Sequence, residues 1–348
     1  MRTIARTKVG MKAEIVSGAV APGVEKHPSE RDALAAVRRL LDADPVSATR
    51  FKTGNHHFVF DVRLRSGTRV VARTTTSSNR GAMASAATMS RLLRPLGIPL
   101  PVLLAEDLES GFPCLILERL AGTDLGFRLQ AEPSGDFLAI AAALVDAQER
   151  VSRIVFPGPL RYGYAMEPSA AAHPTWLAAI FGSILSARDM IAACGRDTSS
   201  CDTLLDLAVR MGDLLVAQPP TPFLHDTTTK NVLVADDGSF SGIVDVDDLC
   251  FGDPRKTKAL TMAALLSEGL PTGYVDGWLR LSGECADAPF WLMTADSLSW
   301  FVVEHARTRN GNVNPPDRLR SDRVECAFRY ALGKAEEQFR LRLDAQGS

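Results

Sequence analysis

The stretch FLHDTTTKNVLVADDGSFSGIVDVDDLCFGDP (223–254) decides the fold. Its runs NVLV (231–234) and FSGIVDV (240–246) are short and rich in β-branched residues. Between them ADDGS carries an Asp-Gly step that suits a hairpin turn. Closing that hairpin returns the end of the second strand to the start of the first. Asp245 then lies beside Asn231, with Asp226 in the loop just before it. Three oxygen-bearing side chains converge at one end of a small hairpin, and that geometry calls for a chemistry.

Composition bounds the answer. The chain has 348 residues, 46% hydrophobic and 23% charged, enough for one large or two modest domains with an ordinary core. No continuous apolar run approaches the roughly eighteen residues of a membrane span. The N-terminal MRTIARTKVGMKAEIVSGAVAPG lacks an apolar signal core, so the expectation is a soluble cytoplasmic protein. Six Cys are scattered without a CxxC pair, which points to reduced thiols and away from zinc. The net charge of −2 hides an asymmetry. Residues 1–120 hold 18 Lys and Arg against 11 Asp and Glu, whereas residues 121–348 hold 21 against 30. A basic front and an acidic back suit a polyanion held by one half.

Outward from the hairpin, the pattern divides the chain. Residues 1–30 read as an irregular extension. SERDALAAVRRLLDAD (29–44) is an amphipathic helix with Ser29 as its cap. From Arg50 two strands flank an Arg-Ser-Gly-Thr turn, preceded by a loop at Gly54 and Asn55. A helix over 82–97 and a hairpin made of PVLLAEDLES and FPCLILERL complete a mainly β unit ending near residue 120. Residues 121–348 are then mainly helical, with helices over 135–154 and 201–217. The Pro/Gly/aromatic stretch 156–176 reads as a long surface excursion.

Phosphoryl transfer from a nucleotide needs a set of this kind. It calls for Mg²⁺ against the phosphates, a carboxylate facing the attacking hydroxyl, and positive charge along the triphosphate. Mg²⁺ takes hard oxygen ligands and keeps several waters, so Asn231 and Asp245 suffice as a protein pair and Asp226 is free to face an acceptor. Turn capping is the structural alternative, but the hairpin turn itself explains neither Asp.

On these residues the sequence resembles the aminoglycoside phosphotransferase family, a branch of the protein-kinase-like fold, with some likeness to hygromycin phosphotransferases. LHDTTTKN is similar to its catalytic loop, GIVDVDD to its metal-binding segment and FGDP to the turn that follows. Upstream, FKTGNHHFVFDV resembles the loop over the nucleotide, VVAR the strand bearing a phosphate-binding cation, and LILERLAGTDL the hinge between lobes. The resemblance implies an α+β fold of two lobes: a β-rich nucleotide-binding lobe over 1–120 and a mainly helical catalytic lobe over 121–348. It implies ATP or GTP as donor and Mg²⁺ as cofactor. Asp226 is then the catalytic base, with Lys230 beside the transferred phosphoryl group or simply exposed at the loop edge. Asn231 and Asp245 are the metal ligands. Arg73, Gly54, Asn55, Glu118 and Leu120 contact the nucleotide.

Three departures stand out. Leu224 occupies the position where the family usually has His, and His225 sits next to Asp226 instead. The helix GAMASAATMSRLL, which should offer a Glu to the strand cation, contains no acid, so the carboxylate is missing or comes from elsewhere. The helix after FGDP begins RKTKAL, where the family often shows an Asp. His56 and His57 are read as packing or strand-edge residues, Asp247 and Asp248 as lining or bounding the acceptor site, and the four Trp as packing residues.

The expected activity is transfer of a γ-phosphate to a hydroxyl of an antibiotic, of nucleoside or aminoglycoside/aminocyclitol type. A metabolic small-molecule kinase and a non-catalytic nucleotide-binding protein are the rivals. The acceptor should be neutral or weakly cationic, because residues 261–348 hold 12 acids against 10 bases and the final helices, expected to form the far wall of the cleft, supply many Arg. Neither a nucleic acid nor a membrane is expected as partner.

Overall fold

The computed structural model describes residues 26–51, 57–306 and 318–347. An antiparallel sheet forms first and a mainly helical body follows it, so the expected two-lobed α+β arrangement holds. Helix α1 (Glu30–Leu41) starts at Ser29, as its sequence dictates. The Ser29 hydroxyl accepts from the Asp32 N–H while the Asp32 carboxylate accepts from the Ser29 N–H. This reciprocal box satisfies two donors that the first helical turn leaves open.

The large sheet runs in the order β1 (Pro45–Arg50), β2 (Phe58–Leu64), β3 (Arg69–Thr74), β5 (Cys114–Glu118), β4 (Leu103–Asp107). β1 was not among the expected strands, because PVSATR has too few large apolar residues to show alternation; it pairs with β2 at the sheet edge. Strand periodicity sorts the rest. Phe58, Phe60 and Val62 of β2, Val70 and Ala72 of β3, and Cys114 and Ile116 of β5 bury against Ala33 and Val37 of α1. Leu115 points the other way, into a cluster with Met83, Ala86 and Ala87 of α2 (Arg80–Leu93). Arg73 pairs in register with Leu115 and therefore stands on the face that α2 covers. Helix α2 ends earlier than the expected residue 97, since Arg94–Leu96 tighten into a 3₁₀ turn that stops at Gly97.

Beyond the sheet, β6 (Thr123–Asp124) pairs with β9 (Val232–Val234), which pairs with β10 (Phe240–Ile243). The decisive hairpin is thus one edge of a three-stranded sheet. Gly122 is required here: at φ 87°, a Cβ would stand 1.9 Å from the Val234 carbonyl oxygen. A second small sheet has the order β7 (Gly163–Ala165), β11 (Leu249–Gly252), β8 (Thr221–Phe223). β7 lies inside the stretch 156–176, expected as a long surface excursion. Three residues are too few for alternation to register in a sequence.

The helices are α3 (Leu125–Ala131), α4 (Leu138–Ser152), α5 (Trp176–Ala193), α6 (Ser199–Arg210), α7 (Gly212–Val216), α8 (Arg255–Glu268), α9 (Gly273–Leu281), α10 (Ala288–Ala306) and α11 (Arg318–Gly347). The segment 201–217, expected as one helix, breaks between α6 and α7 at Met211–Gly212. α10 is the axis of this body, buried from Ala288 to Ser299 and packed against α5, α6, α8 and α11. Among the described residues, α5 is the one helix long and apolar enough to cross a membrane by length and composition. It packs against α6, α7 and α10, with Trp176, Ile180, Ile184 and Ile191 buried.

Candidate active site

Strand β8 delivers Leu224, His225 and Asp226 into a loop held from two sides. The Leu224 N–H donates to Gln148 Oε1 on α4 at 3.1 Å, and Thr257 Oγ1 on α8 donates to the Leu224 carbonyl at 2.5 Å. Leu224 is 2% exposed, so the position expected to hold His is a core anchor here. His225 stacks edge-on against Tyr164, ring centroids 4.7 Å apart, with its Nδ1 3.5 Å from Asp248 Oδ1. Sequence reading missed Gln148 and Thr257. Gln148 shows only as a polar residue between the buried Leu144 and Val151 of α4, and Thr257 is lost in the polar run that opens α8.

Asp226 is partly buried, and Thr228 Oγ1 donates to its Oδ1 at 3.2 Å. Burial, with support from Asp245, pushes its carboxyl up to about 6 against the opposing effect of His225. Asn231 Nδ2 donates to the Asp226 carbonyl at 2.9 Å, which fixes the amide and leaves its Oδ1 free for another partner. The Val244 N–H donates to the Asn231 carbonyl at 2.9 Å, so the hairpin brings Asp245 to Asn231 as expected. The second strand ends at Ile243 rather than at residue 246. The cause is Asp245, which turns into the left-handed region at φ 65° and holds an exposed carboxylate at the strand end.

The missing helix acid has a replacement. Arg73, 5% exposed, reaches from β3 to the segment after the hairpin. Its Nη2 donates to Asp245 Oδ1 at 2.5 Å and to Asp247 Oδ2 at 3.0 Å, and its Nη1 donates to Asp247 Oδ1 at 2.7 Å. His57 Nε2 lies 3.3 Å from Asp247 Oδ2 and is 7% exposed. His57, expected as a packing or strand-edge residue, is therefore part of this polar cluster, and Asp247, expected to line or bound the acceptor site, is paired with a cation. Burial works against the Asp247 carboxylate, but Arg73 and His57 outweigh it and hold the group well below the usual carboxylate range.

A loop carboxylate, an amide oxygen and a carboxylate at one hairpin end, with an arginine bridged from a sheet, are groups of the kind that phosphoryl transfer uses. Residues 47–288 match the model of the family described as phosphotransferase enzyme family. The chain belongs to this family. Among solved structures, a thermostable mutant of aminoglycoside phosphotransferase APH(4)-Ia has a TM-score of 0.59 at 16% identity, covering 85% of this chain and 94% of that one. A candidate fructosamine-3-kinase from Haemophilus somnus 129PT has a TM-score of 0.57 at 13% identity, covering 84% and 96%. LicA in complex with AMP has a TM-score of 0.57 at 13% identity, covering 87% and 98%. These likenesses are of fold. No curated protein matches the chain.

The remaining expected residues of this phosphotransferase fall in different places. Lys230 is exposed on the loop rim. Glu118 ends β5 with an exposed side chain whose Oε2 accepts from the Val102 N–H at 3.1 Å, and its own N–H donates to the Val102 carbonyl at 2.8 Å. Leu120 lies against Gly242 of the hairpin, where a Cβ would meet its Cδ1 at 2.7 Å. Gly54 and Asn55 lie outside the described residues, as does His56. Asp248 lines a small recess with Asp226, His225 and Asp245. A second, narrow recess of about 40 Å³ is walled by Tyr164, His173, Trp176, Ser183, Lys256 and Asp296. Tyr164 joins the two, since its ring touches His225. Of the arginines expected on the far wall, Arg307 and Arg309 lie outside the described residues, and Arg323 of α11 donates to the Glu268 carbonyl.

Proposed function

We propose that this phosphotransferase moves the γ-phosphate of ATP, or of GTP, to a hydroxyl of a small molecule. The observation that carries the reading is the joint placement of Asp226, Asn231 and Asp245 at one hairpin end with Arg73 drawn across to Asp245. In this reading the units over 1–120 and 121–348 close on the nucleotide, with the Glu118–Leu120 crossover against the base. Asp226 accepts the proton of the acceptor hydroxyl. Its environment supports that role, because a carboxyl near 6 is ionised at neutral pH yet basic enough to take a proton in the transition state. The Thr228 hydroxyl orients Oδ1, and the Gln148 and Thr257 braces keep the loop backbone in register with β8. Arg73 grips phosphate oxygens. Asn231 Oδ1 and the Asp245 carboxylate are hard oxygen ligands and fit Mg²⁺, which when bound would neutralise phosphate charge.

The acceptor we propose is an antibiotic of nucleoside or aminocyclitol type, uncharged or weakly cationic, that meets Asp226 beside His225 and Tyr164. Lys256 and Asp296, in the narrow recess beyond Tyr164, are paired with each other and offer a polycation no free carboxylate. A metabolic kinase is the second reading, supported by structural neighbours named for both antibiotic and fructosamine substrates. ATP turnover against a panel of hydroxylated compounds graded by charge tests the proposal. We expect the highest kcat/KM on neutral or singly charged antibiotics. Highest efficiency on the most cationic aminoglycosides would remove the acceptor assignment, and efficient turnover confined to sugars or amino alcohols would favour the metabolic reading.

A further inference from the structure

A cation that grips phosphate must be held still, and the fold removes the usual means of holding it. Arg73 sits on the sheet face that α2 covers, opposite Leu115. From Arg80 to Leu93 that helix carries RGAMASAATMSRLL, with no acid anywhere. Its contribution to the sheet is apolar: Met83, Ala86 and Ala87. A guanidinium buried to 5% exposure on such a face costs several kcal/mol unless carboxylates meet it.

Two carboxylates do meet it, and they differ. Asp245 gives one oxygen to Arg73, is the more exposed of the two, and is claimed as a metal ligand in the proposed function. Asp247 gives both oxygens, one to each terminal nitrogen of the guanidinium, and is itself backed by the buried His57. A two-point grip of this kind fixes the plane of the guanidinium as well as its position. Three of the five N–H donors are thereby used, which leaves the second Nη1 hydrogen for a ligand besides the Nε donor. The Nε donor is buried without a partner.

We propose that Asp247, backed by His57, is the positioning residue for Arg73: it supplies from the segment after the hairpin the carboxylate that α2 lacks. The inference rests on the nucleotide-binding role proposed for Arg73 and deepens it. It makes the alignment of the phosphate-gripping cation depend on the same short segment that carries Asp245. Arg73 of the sheet is thereby tied to this segment by two ion pairs, with Asp245 and with Asp247. The competing assignment is a third metal ligand, since ligand atoms of His57, Asp245 and Asp247 lie within 4.8 Å of one another. Against it, the Arg73 guanidinium already binds both carboxylates.

The test uses the full-length protein and measures nucleotide affinity by calorimetry, with Mg²⁺ and in chelator, beside steady-state ATP kinetics. Asp247→Asn should weaken nucleotide binding about tenfold or more in both conditions and raise the ATP KM more than it lowers kcat. Arg73→Ala should have a similar effect, and the double variant should be no worse than either single one, as expected of groups acting as a unit. Asp247→Glu should recover part of the loss. His57→Gln, a milder change that guards against a folding failure of Asp247→Asn, should lose about two- to fivefold in the same direction. Additive effects of Arg73→Ala and Asp247→Asn would overturn the proposal. So would an Asp247→Asn variant that needs more Mg²⁺ but binds metal-free nucleotide normally, the behaviour of a metal ligand. If Arg73→Ala itself binds nucleotide normally, the phosphate contact in the proposed function falls and this inference with it. A weakened Arg73→Ala beside an indifferent Asp247→Asn overturns only the inference.

Discussion

Among the described residues, two buried cations, Arg73 and Lys256, meet Asp carboxylates, and they are built differently. Lys256, 5% exposed, sits under α10 with every ammonium proton used: on Asp296, on the Met293 carbonyl at 3.1 Å and on Ser297 Oγ at 3.1 Å. Asp296 is completed by Ser183 Oγ at 2.8 Å, and Trp300 Nε1 donates to that same hydroxyl at 2.9 Å. Arg73 is as deeply placed, but its Nε has no partner, the Nδ1 of its neighbour His57 has none either, and one of its two carboxylates stands at the exposed hairpin end. The first cluster is closed and the second is not. A closed polar cluster serves the fold, because any rearrangement leaves a buried group unpaired. An open one keeps donors in hand, which is what a site for a polyanion requires.

The sharpest way to break this distinction is at the open end. Asp226→Asn should lower phosphotransfer by about 10²- to 10⁴-fold, the range typical of a lost general base, while nucleotide binding stays within a few-fold. Steady-state kinetics beside calorimetry read the two effects separately, and an active variant would exclude Asp226 as the base. At the closed end the loss should be structural. Asp296→Ala strands a buried ammonium and should cost about 3–5 kcal/mol in urea unfolding. Replacing both partners with apolar residues, Lys256→Met with Asp296→Leu, should recover most of that. A single variant as stable as the parent would show that the pair is not closed in solution.

The smallest effect concerns the stability cost of the open site. A carboxyl raised from 3.8 to about 6 by folding is destabilising when ionised. That cost is fully present above pH 6 and fades as the pH falls through 6 towards 3.8, because the protonated form carries no penalty. In chelator, Asp226→Asn should therefore be more stable than the parent by on the order of 1–2 kcal/mol at pH 8, once partial exposure is discounted, and equal to it near pH 4. Unfolding midpoints across that range check it; a difference growing toward low pH would reverse the sign of the environment assigned to Asp226.

Much of the site was legible because it is local. The Asp-Gly turn dictates a hairpin, the hairpin dictates that Asp245 meets Asn231, and Ser29 with Asp32 dictates where α1 begins. The strands β7 and β11 were not legible, since three or four residues pair through backbone atoms that every sequence shares. Gln148 and Thr257 were not legible either. Their partners lie 76 and 33 residues away, and nothing in a helix sequence marks which polar residue will meet a distant loop.

By itself the sequence determined the hairpin, the spacing of Asp226, Asn231 and Asp245, and the absence of an acid from α2. Each depends on short-range geometry: turn chemistry, strand alternation, or composition over a few turns of helix. Only the tertiary structure decided what compensates that absence. Asp247 stands 174 residues from Arg73, and their meeting requires a five-stranded sheet and a separate hairpin to pack with the right faces together. A buried guanidinium cannot remain unpaired, so the fold had to bring it a carboxylate. Which one it brought is a property of packing.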